Sequence, residues 1–228
     1  MLRSRRPGPL RKTFADSPKK LIVHNGIDVA RYAFDPLARD RLRREFRVGT
    51  DEILLGHVGS FRPQKNHGYL LRLFDRLCRD ADRYKLLLVG NGSCEAEIRK
   101  LASELEARDK IVFAGARTDV ADIFSAMDLF LLPSLYEGLP VTGIEAQAAG
   151  LECLLADTVT KEVDLTGVTF LSLDPGQQNW ISAIRSAPAR HHAEFSGRIS
   201  DCGYDIGTEA RKLADFYRGH VGGTEVHP

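Results

Sequence analysis

Two glutamates, Glu137 and Glu145, are the side chains of this sequence best placed to do chemistry. The apolar residues 129–132 precede them and predict a buried strand, while the small residues 146–150 follow and predict a tightly packed helix. One carboxylate therefore ends a strand, and the other lies about two turns into the next helix. The helix N-terminus between them offers free backbone N–H groups to oxygen or phosphate. This arrangement favours the binding of a sugar that carries a phosphate.

A glycine and two cations follow an earlier predicted strand. Gly59 allows the backbone to approach a ligand closely, and Arg62 and Lys65 place positive charge at the start of a helix. Each charge-assisted hydrogen bond to a diphosphate would contribute roughly 1.5–3 kcal/mol. An exposed turn with two cations is the alternative, and we favour phosphate binding over it.

Two other interpretations of these loops are weaker. Residues 90–95 begin like a dinucleotide-binding fingerprint, but Glu95 stands where the third glycine belongs, which argues against NAD or FAD. We therefore favour a tight strand-to-helix turn there, and a backbone contact to a ligand stays open. Paired carboxylates also suit glycoside hydrolysis, but the cations Arg62 and Lys65 favour an anionic ligand instead.

The remaining residue types argue against several other chemistries. The 7 histidines show no HxxxH or HExxH spacing, and the sequence contains no GxSxG, so neither a zinc protease nor a serine hydrolase is indicated. His57 lies in an apolar strand, which favours a satisfied buried histidine over a catalyst. The 4 cysteines are scattered without a CxxC pair, which argues against structural zinc and favours a reducing cytoplasm.

Composition indicates a globular domain with a basic tail. Of the 228 residues, 43% are hydrophobic and 28% charged, and no apolar run approaches the ~18 residues that span a bilayer. Residues 1–20 carry a net charge of +6, so the rest of the chain is net −5. An arm for nucleic acid or anionic lipid is one interpretation. We favour a solvated tail, because an acidic body is poor support for nucleic-acid binding.

Strands alternate with amphipathic helices from residue 53 onward. Continuous apolar strands of this kind predict a doubly wound parallel sheet with helices on both faces, a Rossmann-like α/β single domain. Asn66 and either Thr118 or Asp119 are the expected helix caps. The predicted strands are residues 53–58, 86–90, 111–113, 129–132, 153–156 and 168–171.

The flanks are less regular, and the chain divides into four parts. Residues 1–20 form the basic tail, and 21–50 hold a predicted strand into an Asn-Gly turn and a basic helix over about 36–47. Residues 51–190 form the Rossmann-like domain, and 191–228 form a C-terminal extension. Residues 188–207 are expected to be loop, followed by a last helix.

From about Ile22 to Tyr217 the sequence resembles the C-terminal, donor-binding half of a GT-B retaining glycosyltransferase. It is most similar to family 4 enzymes of the bacterial exopolysaccharide and capsule type. The resemblance rests on motifs that occur in the same order and spacing: Asn25-Gly26-Ile27-Asp28, His57-Val58-Gly59, Gln64-Lys65-Asn66-His67, residues 115–120, and 137–145.

The resemblance implies a role for each motif residue. Lys65 would clamp the donor diphosphate, Glu137 would contact sugar hydroxyls, and Glu145 would accept hydrogen bonds from the ribose. Residues near Arg117 would border the base, and no essential metal is expected. Glu137, Lys65 and Arg62 are the expected catalytic residues. The expected donor-binding set is Gly59, Ser60, Arg62, Lys65, Arg117, Glu137, Gly138, Leu139, Pro140 and Glu145.

The sequence departs from the family pattern in two places. The family usually has arginine directly after the glycine, where this chain has Ser60. Either Arg62, two residues further on, replaces that cation, or the diphosphate clamp is weakened. A whole acceptor domain normally precedes the Asn-Gly turn, where this chain has residues 1–20. We therefore expect donor binding, with weak transfer unless a second chain supplies the acceptor half.

The expected function is a hexosyl transfer in polysaccharide or glycolipid synthesis. The donor would be a nucleotide-sugar, with a UDP-sugar favoured, and the acceptor a saccharide or a lipid-linked sugar. The expected location is the cytoplasm, with peripheral contact at the inner face of the membrane and no nucleic-acid partner. A non-catalytic sugar-nucleotide-binding or interaction module and a sugar-nucleotide epimerase fragment remain alternatives.

Overall fold

A parallel six-stranded sheet forms the centre of the computed structural model, which describes residues 21–187 and 194–221. The strand order is β3-β2-β1-β4-β5-β6, so the direction of winding reverses between β1 and β4. This confirms the predicted doubly wound, Rossmann-like fold and places a crevice beyond the ends of these two strands. The strands are Ile53–Val58 (β1), Tyr84–Val89 (β2), Ile111–Gly115 (β3), Leu129–Leu132 (β4), Cys153–Ala156 (β5) and Thr169–Leu171 (β6).

Helices flank the sheet, and the strands are mostly buried because helices cover them. No helix in the described ranges is long and apolar enough to cross a membrane. The helices are Pro36–Glu45 (α1), His67–Asp80 (α2), Glu95–Ser103 (α3), Val120–Ala126 (α4), Val141–Ala148 (α5), Gln178–Ser186 (α6), Ser196–Asp201 (α7) and Ile206–Val221 (α8). Short 3-10 turns occur at Pro63–Lys65, Arg108–Lys110 and Lys161–Val163.

The structure corrects two predictions about the flanks. Residues 21–28 are not a strand, because the backbone of Ile27 bonds the segment 204–206 instead of a sheet edge. Residues 188–207 are not all loop, because α7 forms within them and its Ile199 is fully buried. Residues 188–193 and the predicted basic tail lie outside the described residues.

The expected helix caps also differ from those observed. Asn66 precedes α2 but adopts a left-handed conformation with φ 56°, and its side chain makes no capping bond. Asp119 precedes α4 without capping it, because Arg117 takes both of its carboxylate oxygens. Neither residue therefore caps its helix through its side chain.

Asp128, just before β4, anchors α1 to the sheet. Its carboxylate accepts hydrogen bonds from Arg39 at 2.5 Å, from Arg43 at 2.8 Å and from the backbone N–H of Leu54 at 2.7 Å. The Asp128 side chain is only 1% exposed. Two arginines of the predicted basic helix thus compensate one buried charge, and the helix is part of the domain's structural core.

Glycines let the loops after β1 and β2 pack directly on each other. Gly90 has φ 131°, and a Cβ added there would lie 2.1 Å from the carbonyl oxygen of Gly59. The amide of Phe61 donates to the Asn91 carbonyl at 2.8 Å, and the Cys94 amide donates to the Phe61 carbonyl at 2.9 Å. Residues 90–95 therefore form the tight turn that the sequence favours, and this turn supports the loop after β1.

Gly90→Ala is expected to destabilise the protein more than Gly115→Ala. Gly115 also has a positive φ, +70°, but an added Cβ there meets nothing within 4 Å. Gly115→Ala should cost about 1–2 kcal/mol of backbone strain. Gly90→Ala should cost at least about 1 kcal/mol more, because the new methyl group collides with backbone. Urea unfolding of both variants measures the difference, and equal losses would contradict the packing argument.

Candidate functional site

The candidate site lies where the loops after β1 and β4 meet. These strands are neighbours in the sheet, and their carboxyl ends border the crevice. Gln64 joins the two loops: its carbonyl accepts from the amide of Leu135 at 2.8 Å, and its side-chain amide donates to the Tyr136 carbonyl at 2.9 Å. The loop after β1, which carries the predicted phosphate-binding cations, is therefore in direct contact with the loop after β4, which carries Glu137.

Lys65 and Glu137 form an ion pair at this contact. The Lys65 Nζ lies 2.6 Å from Glu137 Oε1, and the two side chains are only 14% and 9% exposed. Ser134 donates to the same oxygen at 2.8 Å, and Gln64 donates to Oε2 at 3.1 Å. The structure thus brings together two of the predicted catalytic residues, and it adds Gln64 and Ser134 as their partners.

Gly59 makes room for the stem of this lysine. A Cβ at Gly59 would lie 3.2 Å from Lys65 Cε and 3.1 Å from His57 Nε2. His57 is fully buried, and its Nδ1 donates to the Leu131 carbonyl at 2.8 Å. Its Nε2 has no hydrogen-bond partner among the described residues, so within them the expectation of a satisfied histidine holds for one nitrogen alone. Burial lowers the pKa of His57, so the ring is neutral.

The loop after Glu137 leads into the N-terminus of α5. Gly138 is exposed, with nothing within 4 Å of an added Cβ, and Pro140 precedes the helix without a side-chain cap. In the first turn, the hydroxyl of Thr142 is buried, and no residue of the ranges that the structure describes forms a hydrogen bond with it. Uncapped N–H groups and an unpartnered hydroxyl at a helix N-terminus can bind an anion.

Glu145 lies in α5 and has a partner that the sequence did not reveal. The hydroxyl of Tyr32 donates to Glu145 Oε1 at 2.7 Å. Burial raises the pKa of Glu145, and the hydrogen bond from Tyr32 acts in the opposite direction. No motif or periodicity marks Tyr32, because the contact joins residues 113 positions apart.

Arg62 and Ser60 are exposed. Arg62 lines a surface cavity of about 550 Å³ between α2 and α3, together with Asn66, Arg72 and Lys100. The backbone N–H of Arg62 donates to the Ser60 carbonyl at 2.8 Å. Whether Arg62 replaces the family arginine stays a prediction, because no hydrogen bond or ion pair between the Arg62 guanidinium and the Lys65–Glu137 pair is found among the described residues.

Arg117 connects α1 to the loop before α4. Its guanidinium makes two 2.8 Å hydrogen bonds to Asp119 and one of 2.7 Å to Glu45. It also lies over the ring of Phe46, 5.8 Å from the centroid. The bonds to Asp119 and Glu45 raise the pKa of Arg117. The guanidinium is therefore bound to two carboxylates here, and its place beside a base stays a prediction.

The sheet is doubly wound, and an ion pair and a helix N-terminus lie at its switch point. Domains with this arrangement can bind anionic ligands. The sequence model of the family "Glycosyl transferases group 1" matches residues 38–187, and the chain belongs to this family.

Two relatives show how far the similarity extends. A Bacillus subtilis protein that carries the name glycosyltransferase EpsF is 34% identical over 201 residues, which are 86% of this chain and 52% of that protein. The D-inositol 3-phosphate glycosyltransferase of Mycolicibacterium smegmatis is 31% identical over 202 residues, 80% of this chain and 45% of its own. The chain thus spans about half the length of the curated relatives that it matches.

Solved structures confirm the fold. Anabaena HepE in complex with UDP-glucose superposes with a TM-score of 0.71 at 19% identity, covering 86% of this chain and 57% of that one. The sucrose-phosphate synthase of Thermosynechococcus elongatus gives a TM-score of 0.74 at 20% identity, covering 89% and 53%. The family match and the fold together identify a C-terminal domain of the GT-B glycosyltransferase type, as the sequence resemblance implied. Its assignment to family 4 stays a prediction.

Proposed function

We propose that this chain is the donor-binding domain of a glycosyltransferase that uses a nucleoside-diphosphate sugar, with UDP as the nucleotide. The observation that carries the proposal is the largely buried Lys65–Glu137 pair at the switch point of the sheet. A cation for phosphate and a carboxylate for sugar hydroxyls stand side by side there. The solved complexes of Anabaena HepE with UDP and UDP-glucose support the nucleotide.

In the proposed mechanism the ligand replaces the ion pair. Lys65 moves from Glu137 to the diphosphate, and the freed carboxylate oxygen accepts from sugar hydroxyls. Ser134 and Gln64 keep Glu137 oriented during the exchange. The sugar C1–O bond to the diphosphate breaks and a C1–O bond to the acceptor forms with retention, while the acceptor proton passes to the leaving diphosphate. Lys65 and the α5 N-terminus stabilise the charge that develops on this diphosphate.

The other predicted residues complete the donor site in this proposal. Glu145 accepts from the ribose, and residues 138–140 present backbone groups to sugar and phosphate. Arg62 adds a second cation if it turns from its cavity toward the diphosphate. The 115–120 loop borders the base.

The acceptor is proposed to be a saccharide or a lipid-linked sugar held by another half of the enzyme. The relatives are about twice as long as the matched region, since this chain covers 52% of the EpsF protein. A further segment or a second chain would supply that half, and the location would be cytoplasmic, with peripheral membrane contact.

Titration calorimetry with UDP tests the donor site directly. We expect binding of UDP, and binding of UMP weaker by roughly tenfold or more, because UMP lacks the phosphate that Lys65 is proposed to hold. Glu145→Ala should weaken the binding of UDP and of UMP by the same factor, because both nucleotides carry the same ribose. A folded protein with no affinity for UDP at millimolar concentration would reject the proposed function.

A further inference from the structure

The turn after residues 25–28 brings Tyr32 to the proposed ribose carboxylate. The phenol is partly buried, its hydroxyl donates to Glu145 Oε1 at 2.7 Å, and its ring packs 6.1 Å from that of Phe124. Among the described residues, no hydrogen-bond partner of Glu145 Oε2 is found. We propose that Tyr32 is a positioning residue: it fixes the carboxylate of Glu145 and directs Oε2 to a ribose hydroxyl of a nucleoside diphosphate.

Contacts on both sides hold the turn that carries Tyr32. On one side, the Arg31 guanidinium donates to the carbonyl of Thr118 at 3.4 Å. On the other, the backbone N–H of Asp35 donates to the Ser125 hydroxyl at 3.1 Å. Both partners belong to α4 or to the loop that leads into it. The phenol is thus fixed relative to the crevice, as a positioning role requires.

Charge distribution makes the phenol the donor and the carboxylate the acceptor. Burial, then the hydrogen bond to Glu145, raises the pKa of Tyr32, so the phenol keeps its proton. The charges of Asp28 and Arg31 have opposite effects on the pKa of Tyr32: Asp28 raises it and Arg31 lowers it. Burial raises the pKa of Glu145, and the bond from Tyr32 lowers it. The hydroxyl therefore stabilises the ionised carboxylate, which is the form that accepts two hydrogen bonds.

Tyr32→Phe should raise the pKa of Glu145 in the free protein. Carboxyl-carbon NMR of protein labelled at glutamate Cδ measures this, with Glu145→Gln to assign the resonance. Tyr69→Phe is the matched control, because its hydroxyl donates to the Asp174 carbonyl at 3.3 Å, apart from the site. A higher pKa of Glu145 in Tyr32→Phe, but not in Tyr69→Phe, supports the proposal. An unchanged pKa of Glu145 would overturn it, whatever the protein binds.

The ligand arm of the test rests on the proposed function. Calorimetry with UDP, 2′-deoxy-UDP and 3′-deoxy-UDP compares wild type with Tyr32→Phe. We expect Tyr32→Phe to weaken the binding of UDP about three- to tenfold. The binding of the deoxy analogue that lacks the ribose hydroxyl bonded by Glu145 should weaken by less. Equal weakening of all three ligands would indicate a merely structural tyrosine and overturn the proposal. If wild-type protein binds none of them, the proposed function fails, and the NMR result still decides whether Tyr32 sets the state of Glu145.

Discussion

Asp128→Ala is expected to lower the free energy of unfolding by about 3–5 kcal/mol. The substitution removes the only carboxylate among the described residues that pairs with both Arg39 and Arg43, whose side chains are 15% and 11% exposed. It also leaves the backbone N–H of Leu54 without its acceptor. Two nearly buried guanidinium groups would then lose the carboxylate that neutralises their charge, and keep backbone carbonyls as acceptors. Urea denaturation followed by circular dichroism measures the loss.

Asp122→Ala is the matched control for this prediction. Asp122 of α4 pairs with Arg41 of the same helix α1, at 2.5 Å, but the two side chains are 40% and 53% exposed. An exposed pair of this kind contributes about 0.2–1 kcal/mol, so Asp122→Ala should change stability little. Similar losses in the two variants would show that burial of Asp128 is not what makes it stabilising.

Lys65→Ala is expected to weaken the binding of UDP roughly 10- to 150-fold. This range corresponds to the loss of one charge-assisted hydrogen bond to phosphate, about 1.5–3 kcal/mol. The loss should be larger for UDP than for UMP, because the proposed contact is with the diphosphate. Calorimetry with both nucleotides measures the two ratios.

Lys100→Ala is the control for charge, because Lys100 is an exposed lysine of the neighbouring cavity. It should leave UDP affinity unchanged within about a factor of two, as expected for a screened surface charge. Arg62→Ala, measured alongside, tests whether the second cation reaches the diphosphate. Unaltered UDP binding in Lys65→Ala, with the protein folded, would place the donor site elsewhere.

The sheet could be predicted closely because its signal is local. The strands β1, β4 and β5 begin and end where their apolar runs do, since strands covered on both faces contain apolar residues at every position. The segment 21–28 misled the prediction for the same reason. Its apolar residues Ile22 and Val23 are 64% and 41% exposed, and apolar content alone does not report whether a sheet edge is available.

The candidate site could be predicted only in part. Lys65 and Glu137 follow neighbouring strands, so topology brings their loops together across 72 positions of sequence. The contacts of Ser134, Gln64 and Tyr32 could not be predicted, because they depend on the orientation of side chains across a tertiary contact. The sequence encodes those orientations in packing and not in a motif.

The double hydrogen bonding of Gln64 has an evolutionary consequence. Its side-chain amide bonds both the carbonyl of Tyr136 and the carboxylate of Glu137, while its chain neighbour is Lys65. A substitution in the loop after β4 would therefore shift the amide and, through it, the adjacent lysine. Substitutions at residues 136 and 137 are for this reason expected to arise together with compensating changes at position 64, so the two loops should covary within the family.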